Sequence, residues 1–275
     1  MTTPEPEPWL AALTGRAEEP RRLRTRSGGR LYFFADLVVK VHRSGVDAAD
    51  LARRLAYCRA PLLSPLDPVP RLLFVDGPDR PPAAVTSWPI VEVLPPDATP
   101  PWTAAARLLA KVHDTEISTP LPGHGWPARL ARAVALAPPE WAALGRRLLH
   151  QVQSRVEPRH LLHGDWHLGQ LGRTGTGWCL LDPEDLGLGD PAWDLARPAG
   201  FWAADLLSDA DWQEFLDGYR AAGGIAIPAV GDPWPVLDLP ARCAVYVAAM
   251  HPEAHDQDTA QALAEACRRM AQLTL

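Results

Sequence analysis

The distribution of proline constrains the fold of this 275-residue chain more than any other feature of its sequence. Twelve of the 30 prolines lie in residues 61–101, which is too many for a long helix or for a strand in the middle of a sheet. Two apolar runs survive in this segment, RLLFVD and AAVTSWPIVEVL, and they predict two strands joined by the turn DGPDRPP. The first ninety residues are therefore predicted to be mostly antiparallel sheet.

The segment 21–43 has the same strand-like pattern. RRLRTR, RLYFF and LVVKVH are predicted strands, separated by a Ser-Gly-Gly turn and by a tight Ala-Asp turn. A helix is predicted from about Asp47 to Arg59, because Leu51, Leu55 and Cys58 recur on one helical face. This part of the chain therefore combines a sheet with one helix.

After Pro101 the pattern becomes helical. Helices are predicted over Trp102–Asp114, Trp126–Leu149 with a break at Pro138-Pro139, Trp193–Ala222 with an interruption at Pro198, and Pro240–Leu275 with an interruption at Pro252, and a loop is predicted over Gly223–Pro235. A small β-rich lobe followed by a larger helical lobe is an α+β arrangement with two lobes. We place the lobes at residues 1–94 and 95–275.

Composition excludes several classes of protein. The net charge of −6 and the pI of about 5.8 disfavour a protein that binds nucleic acid by neutralising phosphates. The four cysteines are far apart, which argues against a zinc module or a disulfide framework. No apolar run approaches the roughly 20 residues of a spanning helix, and the N-terminus lacks the basic start of a signal peptide. We expect a cytoplasmic protein without a membrane or nucleic-acid partner, and its oligomeric state stays open.

The stretch LLHGDWHLGQLGRTGTGWCLLDPED, residues 161–185, predicts two short apolar strands around a Gly-rich turn. Ionisable and amide side chains crowd both ends of this hairpin. Asp165 follows His163 in an H-x-D pattern, Gln170 comes five residues later, and Asp182 ends the second apolar strand. The spacing resembles the protein-kinase pattern H-R-D-x-x-x-x-N with a later metal-binding Asp. Such chemistry needs a carboxylate for a hydroxyl proton, and oxygen ligands that hold Mg²⁺ against phosphates.

Three separated blocks, HGDWHLGQ, LDPED and GDPAWDLA, carry a closer resemblance. In these blocks the chain resembles the aminoglycoside phosphotransferase family of kinase-like small-molecule phosphotransferases. That family's signature is H-G-D-x-H-x-x-N, then I-D-W/F-E/D, then G-D-P-x-x-D-L-A. The resemblance implies a protein-kinase-like fold, with Asp165 as the catalytic base and Gln170 and Asp182 as ligands of Mg²⁺.

The resemblance also suggests roles for the remaining polar residues of these blocks. His163, His167 and Asp194 would support the catalytic loop by hydrogen bonds rather than transfer protons. Gln170 stands where the family has Asn, and it carries the same amide oxygen on one more methylene. The run H-x-G-Q resembles a variant found in maltokinase-like and glucosamine-kinase-like members, which favours sugars or amino sugars as acceptors.

The β-rich lobe agrees with this resemblance in part. Lys40, in the apolar strand LVVKVH, resembles the strand lysine that kinases use on ATP phosphates. A buried strand lysine is costly unless it is paired, so a phosphate partner would explain its position. Taken alone, Lys40 is better explained as an edge-strand residue that faces solvent, and the catalytic-loop pattern is what favours the ATP role. The predicted helix after Lys40 has no Glu to pair with it. The other candidate nucleotide-binding residues are Ser27, Gly28 and Gly29 in the first turn and Glu92 and Val93 in the hinge.

Candidate acceptor-binding residues follow the metal-binding Asp or flank the base. Glu184 and Asp185 are the leading candidates, and Trp166 could stack on a sugar ring. A second acidic group lies in residues 201–217. Its five acids could line a pocket for a cationic substrate, although a solvated helix face is the better interpretation.

The sequence therefore predicts an ATP- and Mg²⁺-dependent phosphotransferase that acts on a hydroxyl of an antibiotic, a sugar or an amino sugar. One alternative is a kinase-fold protein that binds nucleotide or a partner without turning over a small molecule. Another is a kinase that phosphorylates a peptide Ser or Thr in a biosynthetic pathway.

Overall fold

The computed structural model describes residues 7–25, 28–77, 79–95, 97–155, 158–251 and 255–273. The chain divides into two compact units, residues 1–92 and 93–275. The described helices are α1 (Pro8–Thr14), α2 (Ala48–Leu55), α3 (Trp102–His113), α4 (Trp126–Leu136), α5 (Pro139–Gln153), α6 (Ala196–Ala203), α7 (Asp209–Ala221), α8 (Trp234–Ala249) and α9 (Gln257–Gln272). The described strands are β1 (Arg21–Arg24), β2 (Arg30–Phe33), β3 (Leu37–Val41), β4 (Arg71–Leu73), β5 (Ala83–Pro89), β6 (Glu92–Val93), β7 (His160–Leu162), β8 (Leu171–Thr174), β9 (Gly177–Leu180) and β10 (Gly187–Gly189).

The N-terminal unit is built on an antiparallel sheet with the strand order β1-β2-β3-β5-β4. Strand β3 lies in its middle, where Lys40 is opposite Leu31 of β2 and Thr86 of β5. The explanation of Lys40 as an edge-strand residue is therefore wrong. Its side chain belongs to a central strand and is only 9% exposed.

Helix α1 was not predicted from the sequence, and it contributes to the core of this unit through Leu10. The buried residues of this core are Leu10, Tyr32, Phe34, Val39, Val41 and Val85. Val39 and Val41 alternate with Lys40 along β3, so they lie on the opposite face of the sheet. The sheet thereby separates this core from the face that carries the lysine.

The C-terminal unit is mainly helical. One hydrophobic core of this unit is formed by α4, α5, α6, α8 and α9 together with Trp193. Helices α3 and α7 form a second close pair. Between them, Trp102 meets Phe215 edge to face with a centroid distance of 5.9 Å, which is typical of aromatic pairs. A Cβ at Gly218 would come within 2.9 Å of the Cα of Thr103, so this pairing needs glycine on α7.

Two short antiparallel pairs carry the loops of interest. Strand β7 pairs with β10, with Leu161 opposite Leu188, and β8 pairs with β9 around the turn after Thr174. The predicted hairpin is confirmed. No helix in the described part of the chain is both long and apolar enough to cross a bilayer.

Several predicted helix boundaries are wrong for physical reasons. Helix α2 ends at Leu55 rather than near Arg59, because the N–H groups of Tyr57 and Cys58 bond to carbonyls three residues back. Pro198 does not interrupt α6, since it lies in the first turn, where its missing N–H needs no partner. Helix α8 begins at Trp234 inside the predicted loop and continues through Pro240.

Two other expectations need comment. The run AAVTSWPIVEVL forms two strands, β5 and β6, rather than one. The break predicted at Pro138-Pro139 is confirmed, because α5 begins there. The interruption predicted at Pro252 lies outside the described residues.

Candidate active site

The β8–β9 hairpin sets the relative position of the two predicted metal ligands. Gln170 ends a 3₁₀ turn, Leu168–Gln170, and its backbone oxygen accepts a hydrogen bond of 2.8 Å from the N–H of Leu181. This bond continues the ladder in which Leu171 lies opposite Leu180. Asp182 follows Leu181 directly, so the hairpin brings the amide residue and the carboxylate residue to the same end.

Asp182 has a left-handed backbone conformation, with φ at 56° and ψ at 70°. For a residue other than glycine this conformation costs about 1–2 kcal/mol, although Asp tolerates it better than most residues. Backbone strain of this kind concentrates at functional sites. It turns the chain out of β9 and into the 3₁₀ turn Pro183–Asp185, which carries both predicted acidic acceptor residues.

Asp194 anchors the backbone of the predicted catalytic loop, residues 163–170. Its Oδ2 accepts the N–H of His163 at 2.6 Å, and its Oδ1 accepts the N–H of Gly164 at 2.8 Å. Burial alone raises the pKa of this carboxyl, but the hydrogen bond and charge of His113 and the backbone bonds outweigh burial and leave the pKa lowered. His163 ties the same loop to the hairpin through an Nε2 contact of 2.8 Å with the oxygen of Leu181.

A buried hydrogen-bond chain extends from Asp194 through residues that the sequence did not indicate. His113 on α3 places Nε2 at 3.0 Å from Oδ2 of Asp194 and Nδ1 at 2.6 Å from the hydroxyl of Tyr219 on α7. The same hydroxyl accepts the N–H of Ala226 at 3.1 Å. Burial raises the pKa of Tyr219, so its hydroxyl stays protonated, and the Nε2–H of His113 donates to the Asp194 carboxylate.

Gly164 is required where it stands. Its φ is +84°, and a Cβ there would lie 2.1 Å from the backbone oxygen of Asp185. The loop that carries Asp165 and the segment after Asp182 thus touch through their backbones. No residue with a side chain fits this position without moving one of the two segments.

Two arginines hold the predicted base. Arg129 and Arg197 approach Oδ1 of Asp165 at 3.3 and 3.4 Å, respectively. The described residues make no hydrogen bond to Oδ2 of Asp165, and the side chain is 29% exposed. One carboxylate oxygen is therefore held by positive charge, while the described residues leave the other without a hydrogen bond.

Arg129 links Asp165 to the acidic turn. It donates to the oxygen of Gly164 at 3.0 Å and to Oδ2 of Asp185 at 3.1 Å, and its guanidinium lies 4.9 Å from the ring centroid of Trp126. Burial raises the pKa of the Asp185 carboxyl, and the neighbouring acids add to the rise, which Arg129 offsets only in part. The guanidinium thus separates two carboxylates that would otherwise repel each other.

His167 is placed to support the loop. Its Nδ1 accepts the N–H of Gly169 at 3.0 Å. Burial, followed by the charge of Arg197, lowers the pKa of His167 to about 4, so the imidazole is neutral at neutral pH. Its role as a loop-supporting residue stays a prediction.

The predicted acceptor-binding residues occupy different surroundings. Trp166 is 3% exposed and stacks on Phe215 with a centroid distance of 5.4 Å. Glu184 is half-buried, and Asp185 pairs with Arg129. Their contact with a substrate stays a prediction.

The acids of residues 201–217 have partners within the chain. Asp209 accepts the indole N–H of Trp202, Asp211 accepts that of Trp102, Glu214 bonds Thr103, Asp217 accepts the amide of Gln213, and Asp205 lies 4.0 Å from Arg269. The bonds made by Asp209, Asp211 and Glu214 each join α7 to another helix, rather than facing an open pocket. The structure therefore favours a structural role for this group.

In the N-terminal unit, the predicted nucleotide-binding residues lie on the sheet and its first turn. Gly29 donates its N–H to Oγ1 of Thr25 at 2.8 Å, and Gly28 has a φ of +89°. Ser27 lies outside the described residues, and Glu92 and Val93 form the exposed strand β6.

The acids that follow Lys40 are engaged locally. Asp47 caps α2 by accepting the N–H groups of Ala49 and Asp50, and Asp50 pairs with Arg53. Helix α2, Ala48–Leu55, contains no Glu that could pair with Lys40.

A metal at this site would need ligands from outside the protein. Among the described residues, no three His, Cys, Asp or Glu side chains cluster closely enough to hold a metal ion by themselves. Gln170 and Asp182 offer an amide oxygen and a carboxylate, which are hard oxygen donors that suit Mg²⁺. Mg²⁺ is commonly bound by one or two carboxylates together with substrate phosphates, and this donor set fits that pattern.

Arg129 and Arg197 contact the predicted base, and neither was predicted from the sequence as a site residue. Arg197 comes three residues after Asp194, directly behind the block GDPAWDLA, so its position offered a usable signal. Arg129 lies 36 residues before Asp165, in a helix whose local pattern carries no sign of the contact.

The chain matches known proteins over most of its length. The family model described as "Phosphotransferase enzyme family" matches residues 9–239. A choline/ethanolamine kinase family protein from Mesorhizobium loti is 17% identical, with a TM-score of 0.64 over 95% of this chain and 91% of that chain. The amicoumacin kinase hAmiN, in complex with AMP-PNP, Ca²⁺ and Ami, is 12% identical, with a TM-score of 0.66 over 96% and 93%.

A thermostable mutant of the aminoglycoside phosphotransferase APH(4)-Ia, in its apo form, is 15% identical, with a TM-score of 0.64 over 97% of this chain and 98% of that chain. At these identities the likeness concerns the fold, and it confirms the predicted α+β, kinase-like class. Among curated proteins, no sequence matches this chain.

Proposed function

The chain belongs to the phosphotransferase enzyme family, and on that premise we propose that it transfers the γ-phosphoryl group of ATP, with Mg²⁺, to a hydroxyl group of a small molecule. The family match supports a phosphotransferase that acts on small molecules. The nucleotide, the metal and the alcohol acceptor are the further content of the proposal. The sequence blocks that carry Asp165, Gln170 and Asp182 support all three.

The observation that carries the proposal is the asymmetric environment of Asp165. Both guanidinium contacts are to Oδ1, and the described residues leave Oδ2 without a hydrogen bond. A base that takes a proton from an acceptor hydroxyl needs such an arrangement, with one oxygen oriented and the other open. Asp194, by contrast, accepts hydrogen bonds from within the chain on both of its oxygens.

In the proposed reaction, the acceptor hydroxyl donates its hydrogen bond to Oδ2 of Asp165. As the hydroxyl oxygen forms its bond to the γ-phosphorus, the bond from that phosphorus to the β–γ bridging oxygen breaks. The hydroxyl proton passes to Asp165, and ADP leaves with the bridging oxygen. Catalysis of this kind depends mainly on positioning and charge neutralisation, because the transition state makes little demand on covalent chemistry by the protein.

The other residues would prepare the site. Gln170 and Asp182 would hold Mg²⁺, which supplies charge neutralisation at the phosphates. Lys40 would contribute a positive charge for phosphates from the N-terminal unit. Gly28 and Gly29 would offer backbone N–H groups, and the strand Glu92–Val93 would offer backbone groups to the nucleotide base.

The proposal is tested by ATP consumption over a panel of hydroxyl compounds that includes aminoglycosides, hexosamines, maltose and hydroxy acids. The phosphorylated product is identified by ³¹P NMR, with Asp165→Ala as the control. We expect acceptor-dependent formation of a phosphate monoester that stops when EDTA removes divalent metal.

Two results would contradict the proposal. One is a chain that binds neither Mg·ATP nor any other nucleoside triphosphate. The other is nucleotide binding without acceptor-dependent turnover, which would favour the alternative of a kinase-fold binding protein.

A further inference from the structure

A cavity of about 300 Å³ lies beside the catalytic loop, within the C-terminal unit. Its wall includes Trp102, Trp166, Phe201 and Leu206, together with His167 and Arg197. Small-molecule sites have volumes of roughly 300–1,000 Å³ and are lined mainly by apolar and aromatic groups with a few polar groups that fix orientation. This cavity has that composition, and its volume suits a compact ligand.

The cavity has an unusual charge for this chain. Arg197 is its charged lining residue among those described, and no Asp or Glu of the described chain lines it. His167 adds no charge at neutral pH, since burial lowers its pKa to about 4. The sign of this lining is opposite to the net charge of the whole chain, which is −6.

Arg197 has unused hydrogen-bonding capacity. Its side chain is 34% exposed, and its one hydrogen bond to the described residues is the 3.4 Å contact with Oδ1 of Asp165. A guanidinium has five N–H donors in a fixed fork that matches a carboxylate or phosphate. Burial lowers the pKa of Arg197, although the charge of Asp165 opposes this effect.

Two acids that could attract a cation, Asp211 and Asp185, have partners within the chain. Asp211 receives the indole N–H of Trp102 at 2.9 Å, so it satisfies a wall residue of the cavity from behind. Asp185 pairs with Arg129 at 3.1 Å. Neither carboxylate lines the cavity, and a polycationic acceptor would meet Arg197 there instead.

We propose that the phosphoryl acceptor is a compact hydroxy acid, with an apolar or aromatic body in this cavity and an anionic group on Arg197. The inference rests on the proposed function, because it takes Asp165 as the base. Arg197 touches Asp165, so the hydroxyl and the anion of the acceptor lie within a few bonds of each other. The established contact between the two side chains thereby links acceptor recognition to the orientation of the base.

Binding of matched probes tests this proposal without any need for turnover. The probes are 3-phenyllactate, its neutral analogue 3-phenyllactamide, and the polycation kanamycin, each titrated by calorimetry into the chain in the presence of Mg²⁺ and a non-hydrolysable ATP analogue. A charge-assisted hydrogen-bond pair predicts about 10–100-fold tighter binding of the acid than of the amide. Kanamycin should bind more weakly than the acid.

Arg197→Gln should abolish the preference for the acid, so that the acid and the amide bind with equal affinities. Arg197→Lys, which keeps the charge and loses the fork, should retain part of the preference. Arg242→Gln is the matched control, because Arg242 pairs with Asp238 away from this cavity. This control should bind all three probes as the unmodified chain does.

Three results would overturn the inference: equal affinities for the acid and the amide, stronger binding of kanamycin, or an Arg197→Gln variant that loses nucleotide affinity while its preference for the acid persists. The last result would assign Arg197 to the phosphates instead. Failure of the proposed function is separate, since it is the absence of Asp165-dependent phosphoryl transfer. The chain could show the acid preference and lack transfer, or show transfer and lack the preference.

Discussion

Exchanging Asp194 for asparagine perturbs the anchor of the catalytic loop by the smallest possible change in shape. The carboxylate accepts three hydrogen bonds, from the N–H groups of His163 and Gly164 and from Nε2 of His113. Asparagine has one carbonyl oxygen where aspartate has two equivalent acceptors. If that oxygen takes the two bonds made to Oδ2, the amide NH₂ faces the N–H of Gly164.

The magnitude follows from these contacts. One hydrogen bond to a charged group is lost, at about 1.5–3 kcal/mol, and a buried N–H is left unsatisfied, at about 1–3 kcal/mol. Together they lower the free energy of unfolding by roughly 3–5 kcal/mol, a large part of the ~5–15 kcal/mol that stabilises a typical protein. At about 2–4 °C per kcal/mol for a unit of this size, Tm should fall by roughly 10 °C.

The pH dependence has a definite sign. The pKa of Asp194 is lowered in the folded chain, so its ionised form stabilises the fold. That contribution is present above the unfolded pKa of about 4 and is lost as the pH falls through the lower folded value. The gap in stability between the unmodified chain and Asp194→Asn should therefore be widest near neutral pH and shrink in acid.

The assay is thermal or urea unfolding of both forms at pH 7 and at a series of values from 5 downwards. Asp256→Asn is the matched control, because exposed Asp256 caps α9 and asparagine caps helices equally well. Its Tm should stay unchanged. An Asp194→Asn variant as stable as this control, or a gap that does not change with pH, would refute the reasoning.

The remaining predictions concern three other positions. Gly164→Ala places a Cβ 2.1 Å from the backbone oxygen of Asp185 and should destabilise the chain by at least about 2 kcal/mol in urea unfolding; unfolding like the unmodified chain would show that the loop is not constrained. Arg129→Met should lower kcat by about 10–100-fold through misplacement of the base, with unchanged affinity for ATP, and steady-state kinetics would disprove this if kcat were unaffected. Tyr219→Phe removes the hydroxyl between His113 and a backbone N–H and should cost about 1–3 kcal/mol, which equilibrium unfolding will measure; an unchanged midpoint would argue against the buried network.

The sequence predicted those parts of the molecule that depend on local pattern. The apolar run LVVKVH after a tight turn identified β3, and the apolar runs on either side of the Gly-rich turn identified the β8–β9 hairpin. Within the hairpin, the spacing from Asp165 to Gln170 and Asp182 could be read directly, because a strand and a tight turn fix the distances between their ends.

Contacts between distant segments could not be predicted in this way. His113 and Tyr219 lie in helices whose patterns report only which face is apolar, so their meeting with Asp194 depends on how the helices pack. Arg129 reaches Asp165 from another helix for the same reason. The start of helix α8 was predicted wrongly for a different reason. The sequence pattern predicted its internal Pro240 as the first residue of a helix, whereas tertiary packing maintains the helix on both sides of this proline.

The central claim is that Asp165 acts as the base through its open carboxylate oxygen. The most direct measurement compares kcat and nucleotide affinity for the unmodified chain and Asp165→Asn with the best acceptor of the panel. We predict a fall in kcat of roughly 10²–10⁴-fold, the range for loss of a general base, with nucleotide affinity changed by less than about twofold. An Asp165→Asn variant with undiminished kcat would contradict the account.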